Sequence, residues 1–249
     1  MAMIGKSGLG VCRKLKQFQA LVSLGRNLSS TSPRSSAKIY ELRTYTLQAA
    51  HFRDYLELTK EKFHLRTSVS KLYGYWVTEL GGLNEVKHIW EYDNFAHRTG
   101  VRQKLAADQS WMESYFSRIA PHLVHQENAV LVPSPLKQVE ESPVAEGGVY
   151  ELCQYEAKPG SEGVVMQEIS KKAELIQQAG GGKLMGLFST DIGHNNSVYH
   201  LWNYESLDKR REINDALPDS AKDNSKILKD VVTSMSNKVM LPWPVSPLK

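Results

Sequence analysis

Two strings of this chain occur twice at nearly the same spacing, and this repeat constrains the fold more than any other feature of the sequence. Ile39–Tyr45 returns as Val149–Tyr155 at an offset of 110, and Val86–Tyr92 returns as Val198–Tyr204 at an offset of 112. A period of this length is that of a small domain and not that of a solenoid repeat. The 249 residues are therefore predicted to form two similar modules.

Each module is predicted to run strand, helix, strand, strand, helix, strand. In the first module, residues 39–46 and 122–132 have the composition of strands, and residues 86–91 pair with the preceding strand as a hairpin. Apolar residues spaced by three and four predict a helix over about residues 51–68. Asn94 is expected to cap the next helix.

The order βαββαβ is that of the ferredoxin-like motif, so the predicted fold class is α+β. A four-stranded sheet with helices on one face leaves its other face without a cover. We expect two tandem ferredoxin-like modules to cover each other's free faces and to form a pseudo-dimer of the dimeric α/β-barrel type. The predicted boundaries are residues 38–136 for the first module, 137–147 for a linker and 148–249 for the second module.

The segment before the first module has the composition of a mitochondrial presequence. Residues 1–38 contain seven basic residues, many hydroxyl residues and no Asp or Glu. One apolar stripe at helical spacing is formed by Val11, Leu15, Phe18 and Val22. We predict that residues 1–37 are a disordered or amphipathic presequence and that residues 1–36 engage the mitochondrial import machinery. The predicted location is the mitochondrial matrix or a mitochondrial membrane; the alternative is a basic tail without a targeting role.

Charge and motifs exclude several other functions. Without the basic residues of the presequence, the formal charge of +4 falls close to zero, so no nucleic-acid partner is expected. No stretch approaches the about 18 uninterrupted apolar residues of a membrane-spanning helix. No phosphate-binding loop, dinucleotide fingerprint or paired-cysteine motif occurs, so no cofactor and no metal are expected.

Five strings together are specific enough to indicate a family. They are Ile39–Tyr45, His64–Thr67, Gly74–Trp76, His88–Arg98 and the terminal Ser246–Lys249. They closely resemble the NIPSNAP family, nearest its third vertebrate subgroup, over about residues 39–249. The resemblance implies tandem NIPSNAP modules with the dimeric α/β-barrel fold and no established catalytic activity.

The resemblance also implies a location and partners. The family is mostly mitochondrial, and a cytosolic pool is implied for the third subgroup. The implied partners are autophagy receptors or adaptors in mitochondrial quality control (mitophagy), and vesicular transport is the older analogy. Homo-oligomers, or hetero-oligomers with other NIPSNAP proteins, are a third expectation, through exposed edge strands.

Alternation along the strands places polar and aromatic side chains on one face of each sheet. If the helices cover the more apolar faces, this set lines the space between the modules. It consists of Glu41, Arg43, His88, Trp90, Glu151, His200 and Trp202. Because the first and third strands are antiparallel neighbours, Glu41 is expected to meet His88, and Glu151 to meet His200. Each carboxylate would then raise the pKa of its histidine.

These residues leave two functions open. A buried His–Glu pair suits a general base in a barrel enzyme, or a small-ligand binder, that uses the interior between the modules. The same pair suits a polar network that only fixes the registry of the two sheets. One histidine per module is too few for a metal site. The sequence therefore favours a non-enzymatic binding or scaffold protein, and filling of the interior by Trp90 and Trp202 would exclude the enzyme.

Overall fold

A computed structural model describes residues 38–223 and 225–249; the predicted presequence, residues 1–37, lies outside the described residues. The strands are β1 Ile39–Leu47, β2 Lys71–Leu80, β3 Glu85–Tyr92, β4 Leu123–Pro133, β5 Val149–Ala157, β6 Gly182–Ile192, β7 Ser197–Tyr204 and β8 Val232–Pro242. In the described part they close one barrel in the order β1-β3-β2-β8-β5-β7-β6-β4. All neighbouring strands are antiparallel.

Helices connect the strands on the outside of the barrel. They are α1 Phe52–Lys62, α2 His64–Thr67, α3 Phe95–Ala107, α4 Gln109–Trp111, α5 Ser117–Ile119, α6 Glu162–Ala179, α7 Leu207–Ala216 and α8 Lys226–Val231. A π-helical turn, Met112–Phe116, joins α4 to α5. The helix predicted over about 51–68 is thus α1 followed by α2. The predicted cap is confirmed, because the Asn94 side chain accepts a hydrogen bond from the backbone N–H of His97 at 2.8 Å.

Each half of the chain supplies four neighbouring strands of the barrel. The first half contributes strands in the order β4-β1-β3-β2. The second half contributes its equivalent strands in the same order, β8-β5-β7-β6. The halves meet at two seams, where β2 pairs with β8 and β4 pairs with β6. The prediction of a mixed α and β fold is therefore confirmed, in the form of a closed antiparallel barrel.

Apolar clusters show which strand face meets which part of the molecule. The barrel interior is filled from both halves, with Tyr40, Trp76 and Tyr150 among its buried side chains. Trp90 belongs to a second cluster that includes side chains of α1 and α3, and Trp202 belongs to a third that includes side chains of α6 and α7. The prediction that the two tryptophans face the opposite half is wrong. Every residue of β3 and of β7 is buried, because both faces of these strands are covered.

The residues after β8 return to the first half. The backbone N–H of Trp243 donates to the Tyr75 carbonyl oxygen at 3.0 Å, and the Tyr75 N–H donates to Oγ of Ser246 at 3.0 Å. Leu248 is buried in the barrel-interior cluster. The C-terminal segment thus continues the β2–β8 seam beyond the last strand.

Candidate functional site

The structure places the seven predicted site residues in two separate groups on the outer, helix-covered faces of the sheets. Glu41, Arg43, His88 and Trp90 lie in the first half, and Glu151, His200 and Trp202 lie in the second half. The prediction that they form one site between the modules is wrong. The physical reason is that the barrel interior is already filled by large apolar side chains.

The predicted carboxylate–histidine pairs do not form. In the β1–β3 ladder, Glu41 lies opposite Trp90, and Arg43 lies opposite His88. Glu41 instead accepts hydrogen bonds from Nε of Arg98 at 3.1 Å and from its Nη2 at 2.7 Å. Burial alone would raise the pKa of Glu41, but bonding to Arg98 and the charge of Arg43 outweigh it and hold the pKa below its usual range.

The second half repeats this carboxylate arrangement. Nε of Arg210 donates to Glu151 at 2.7 Å, its Nη2 also donates to that carboxylate, and Nδ2 of Asn237 donates to it at 2.6 Å. Arg98 and Arg210 are 112 residues apart, the offset of the repeat, and each lies in the first turn of a helix. Cations are disfavoured there by the helix dipole. This was the sequence signal that could have identified the partners of the two carboxylates.

Each histidine is instead bonded to the tryptophan two residues further along its strand. The indole Nε1–H of Trp90 donates to Nδ1 of His88 at 2.6 Å, and Trp202 donates to Nδ1 of His200 at 2.6 Å. An indole nitrogen is a donor only, so each Nδ1 acts as the acceptor and each neutral ring carries its proton on Nε2. Both imidazoles are therefore held as hydrogen-bond donors.

Burial keeps both histidines neutral. Burial, together with the charges of Arg43 and Arg66, lowers the pKa of His88 well below its usual value. Burial likewise lowers the pKa of His200 to about 3. The predicted rise in both pKa values is therefore wrong, because no carboxylate of the described residues forms an ion pair with either ring and desolvation opposes the charged form.

The first half contains a cavity of about 320 Å³ between the sheet and the helices. Its aromatic lining consists of Tyr45, Phe63, Trp90, Trp111, Tyr115 and Phe116. Its polar lining consists of Arg43, Arg66, His88, Arg102 and Gln126. Among the described residues, no Asp or Glu lines this cavity. Most of the cavity surface is therefore apolar, and three of these five polar side chains are arginines.

Among the described residues that line the cavity, two buried polar atoms have no hydrogen-bond partner. They are Nε of Arg43 and Nε2 of His88, both buried. The two residues lie directly opposite each other in the β1–β3 ladder, so their side chains leave the sheet side by side. Buried polar atoms are almost always hydrogen-bonded in folded proteins, so two neighbouring exceptions on a cavity wall call for an acceptor.

Arg66 forms part of the cavity wall and is firmly held. Its guanidinium carbon lies 3.8 Å from the centre of the Trp90 ring, an arrangement that favours a cation–π contact. Its Nη2 donates to the hydroxyl of Tyr92 at 2.8 Å, and its Nη1 donates to Oγ of Ser70 at 2.5 Å. Both acceptors are neutral.

The second half lacks these cationic groups. At the repeat offsets, Cys153 stands in the place of Arg43, Ile176 in that of Arg66 and Asn214 in that of Arg102. The ammonium of Lys172 lies 5.9 Å from the Trp202 ring centre and donates to Oδ1 of Asp223 at 2.6 Å. The two halves therefore share the histidine–tryptophan bond but differ in charge around it.

Two further features are absent from residues 38–223 and 225–249. In this part of the chain, no group of three or more His, Cys, Asp or Glu side chains is arranged to hold a metal ion. No helix there combines the length and the apolar composition needed to cross a bilayer.

Comparison with known proteins identifies the family of this chain. Residues 40–138 and 150–247 each match the NIPSNAP family profile. The chain belongs to the NIPSNAP family. Protein NipSnap homolog 3A of Pongo abelii is 36% identical to this NIPSNAP chain over 224 residues, which are 88% of the chain and 90% of the relative. Protein NipSnap homolog 3B of Mus musculus is 35% identical over the same shares. The predicted resemblance to the third vertebrate subgroup is confirmed.

Solved structures extend the likeness to the whole NIPSNAP barrel. A putative monooxygenase from Fusobacterium nucleatum matches with a TM-score of 0.56 over 84% of this chain and 93% of its own. The two sequences are only 11% identical, so this likeness concerns the fold alone.

Proposed function

We propose that this NIPSNAP chain binds one small organic molecule in the cavity between the sheet and the helices of its first half. The volume of about 320 Å³ falls at the lower end of the roughly 300–1,000 Å³ typical of ligand sites. Mostly apolar walls with a few convergent polar groups are also typical of such sites. The observation that carries the proposal is the pair of unpartnered N–H groups of Arg43 and His88 on the cavity wall.

The proposed role is binding and not acid–base catalysis. A general base needs a free lone pair at an appropriate pKa. In His88 the Nδ1 lone pair accepts the Trp90 N–H, and Nε2 carries the ring proton. The low pKa of His88 also disfavours the imidazolium form. His88 is therefore suited to donate a hydrogen bond to a bound oxygen.

The proposal extends to the architecture and to the cellular role. We regard the two halves as tandem ferredoxin-like modules of a fused pseudo-dimer, which their equivalent strand orders support. Mitochondrial import through residues 1–36 is supported by the composition of that segment. Recruitment of mitophagy adaptors, or vesicular transport, stays a prediction from the family resemblance. A reporter fused to residues 1–36 should enter mitochondria, and its retention in the cytosol would contradict the targeting prediction.

Native mass spectrometry of the purified protein tests the ligand proposal. The wild type is expected to carry an added small-molecule mass, released on denaturation. Ala106 lines the cavity, so Ala106→Trp should fill the cavity mouth and remove the added mass. Ala107→Trp is the matched control, because Ala107 is also an exposed alanine at the end of α3 but does not line the cavity. An added mass that survives Ala106→Trp would contradict the proposal, as would a wild type that neither carries nor takes up any small molecule.

A further inference from the structure

We infer that the ligand of the first-half cavity is an aromatic carboxylate, its charged group bound beside Arg43 and His88 and its ring held by the aromatic wall. This inference rests on the proposed function and specifies the ligand class. It is carried by the charge balance of the cavity, by the geometry of its two unpartnered donors and by a comparison between the two halves of the chain.

The charge balance around His88 is strongly positive. Arg43, Arg66 and Arg98 all lie near the carboxylate of Glu41. Among the described residues, Arg66 makes no ion pair within 4.0 Å, and its hydrogen bonds go to neutral hydroxyls. A buried cation without a counter-charge is costly, and a bound anion would remove that cost.

A further carboxylate, that of Glu127, lies in a neighbouring surface pocket with Arg43, Arg98 and Arg102 but does not line this cavity. Glu127 follows the cavity residue Gln126 on β4, so its side chain leaves the opposite face of that strand. The Glu127 side chain is 57% exposed and approaches His125. Arg102, which is exposed at the cavity rim, adds a further positive charge to the entrance. Arginine side chains therefore lie both at the entrance of the cavity and in its inner wall.

Two adjacent unpartnered donors suit the two oxygens of one carboxylate. Nε of Arg43 and Nε2 of His88 belong to directly paired residues and are each left without an acceptor. The Trp90 bond fixes the His88 proton on Nε2, so this nitrogen can only donate. A carboxylate offers acceptor sites on two oxygens and forms the stronger, charge-assisted kind of hydrogen bond with such donors.

The rest of the cavity selects the body of the ligand. Phe63, Trp111, Tyr115 and Phe116 line the side toward the helices. Aromatic side chains pack best against flat apolar groups in offset or edge-on arrangements. A small aromatic ring system attached to the carboxylate would contact these residues and Trp90 together.

The second half acts as an internal control for the charge argument. Around His200, the cations Arg210 and Lys172 are matched by the carboxylates Glu151 and Asp223. Cys153 replaces the arginine, so of the donor pair only the unpartnered Nε2 of His200 remains in the second half. The inference therefore predicts one aromatic carboxylate per chain, bound in the first half.

Isothermal titration calorimetry with 2-naphthoate and its uncharged amide, 2-naphthamide, tests the inference on the full chain. The carboxylate is expected to bind with one site per chain and at least about tenfold more tightly than the amide. Arg43→Gln should remove this preference, and Arg43→Lys should restore only part of it, because lysine supplies the charge without the planar donor. Cys153 shows that the sheet accommodates an uncharged residue at this position.

Arg211→Gln is the control, since Arg211 is exposed in the second half and its replacement changes the net charge equally. Equal binding of the two compounds, tighter binding of the amide, or no binding of 2-naphthoate would overturn the inference. So would an unchanged preference in Arg43→Gln. The proposed function fails separately, on the native mass spectra of the wild type and Ala106→Trp, so failure of the ligand class is distinguishable from failure of the cavity itself.

Discussion

The indole of Trp90 donates to Nδ1 of His88 at 2.6 Å, and the two residues are neighbours on the same face of one strand. Side chains two positions apart on a strand always leave the same face, so the strand itself sets the protonation state of its histidine. The same bond recurs between Trp202 and His200. A local pattern of three residues, used twice, thus fixes two buried imidazoles as donors.

Nitrogen NMR of labelled histidines should show this tautomer directly. His88 and His200 are expected to appear as neutral rings protonated at Nε2 and to stay so from about pH 8 to about pH 5. Trp90→Phe should change the signals of His88 but not those of His200, and Trp202→Phe should do the reverse. Titration of either ring near its ordinary pKa would refute the assignment.

The buried histidines should make the chain less stable in mild acid. In the unfolded chain histidine takes up a proton near about pH 6.5, whereas in the folded chain His200 does so only near a pKa of about 3. The unfolded state therefore binds more protons in this window, and the free energy of unfolding falls as the pH drops. The expected slope is about 1.4 kcal/mol per pH unit for each such histidine.

Urea unfolding between about pH 6.5 and pH 5 measures this slope before most carboxylates begin to titrate. His88→Gln and His200→Gln should each reduce this slope by about 1.4 kcal/mol per pH unit, which is the contribution of one proton. His125→Gln, at an exposed position of β4, serves as the control. A wild-type stability that does not change over this window would contradict the prediction.

Replacement of Glu41 should destabilise the first half strongly. Its carboxylate is buried and compensates Arg98 and Arg43, so Glu41→Gln leaves two cations without their anion. Breaking a buried ion pair from one side typically costs about 3–5 kcal/mol. Chemical unfolding should show a loss of this order, whereas Glu79→Gln at an exposed position should change little. A loss below about 1 kcal/mol would mean that solvent replaces the carboxylate.

The C-terminal segment should contribute to stability through one hydrogen bond. Ser246→Ala removes the acceptor of the buried Tyr75 N–H, which typically costs about 1–3 kcal/mol. Ser134→Ala is the counterpart at the repeat offset, where the hydroxyl accepts only from the Leu136 N–H at 3.2 Å. Thermal unfolding should therefore show a larger loss for Ser246→Ala. Equal losses would show that the hydrogen bond from Tyr75 contributes no more to stability than the one from Leu136.

The isolated first half should associate with itself. A fragment of residues 38–140 would expose the edges of β2 and β4 that pair across the two seams. It would also expose the inner face that carries Tyr40 and Trp76. Unpaired edges and a large apolar face both favour association. Analytical ultracentrifugation should detect dimers or larger species, and a stable, dispersed monomer would contradict the shared-barrel architecture.

The repeat predicted the elements of the fold well, but not the direction in which the site residues point. Matching strings identify equivalent strands, and a bare sheet face implies a partner. To decide from sequence which face of a strand points into the barrel, the strand must have one polar and one apolar face. The strands β3 and β7 have no such difference between faces, because all their residues are buried. Residue type alone assigns Glu41 and His88 to the interior, which is misleading because the half-buried Arg98 compensates the carboxylate.

The cavity itself was also beyond the reach of the sequence. It depends on how α3, the π-helical turn and α5 are spaced above the sheet, and apolar periodicity does not report such gaps. A comparison of the two copies would have come closer. Arg43 and Cys153 occupy equivalent positions in the repeated strings Ile39–Tyr45 and Val149–Tyr155. The change from a cation to a thiol on a helix-covered face marks where the two halves differ in chemistry.

The covalent link between the halves has a consequence for specialisation. Two identical subunits closing the same barrel would carry either two cationic cavities or none, because any substitution appears in both. A single chain with two copies escapes this symmetry, so Arg43 can remain beside His88 while Cys153 stands opposite His200. One copy is thereby free to keep a cationic cavity while the other copy changes its chemistry independently.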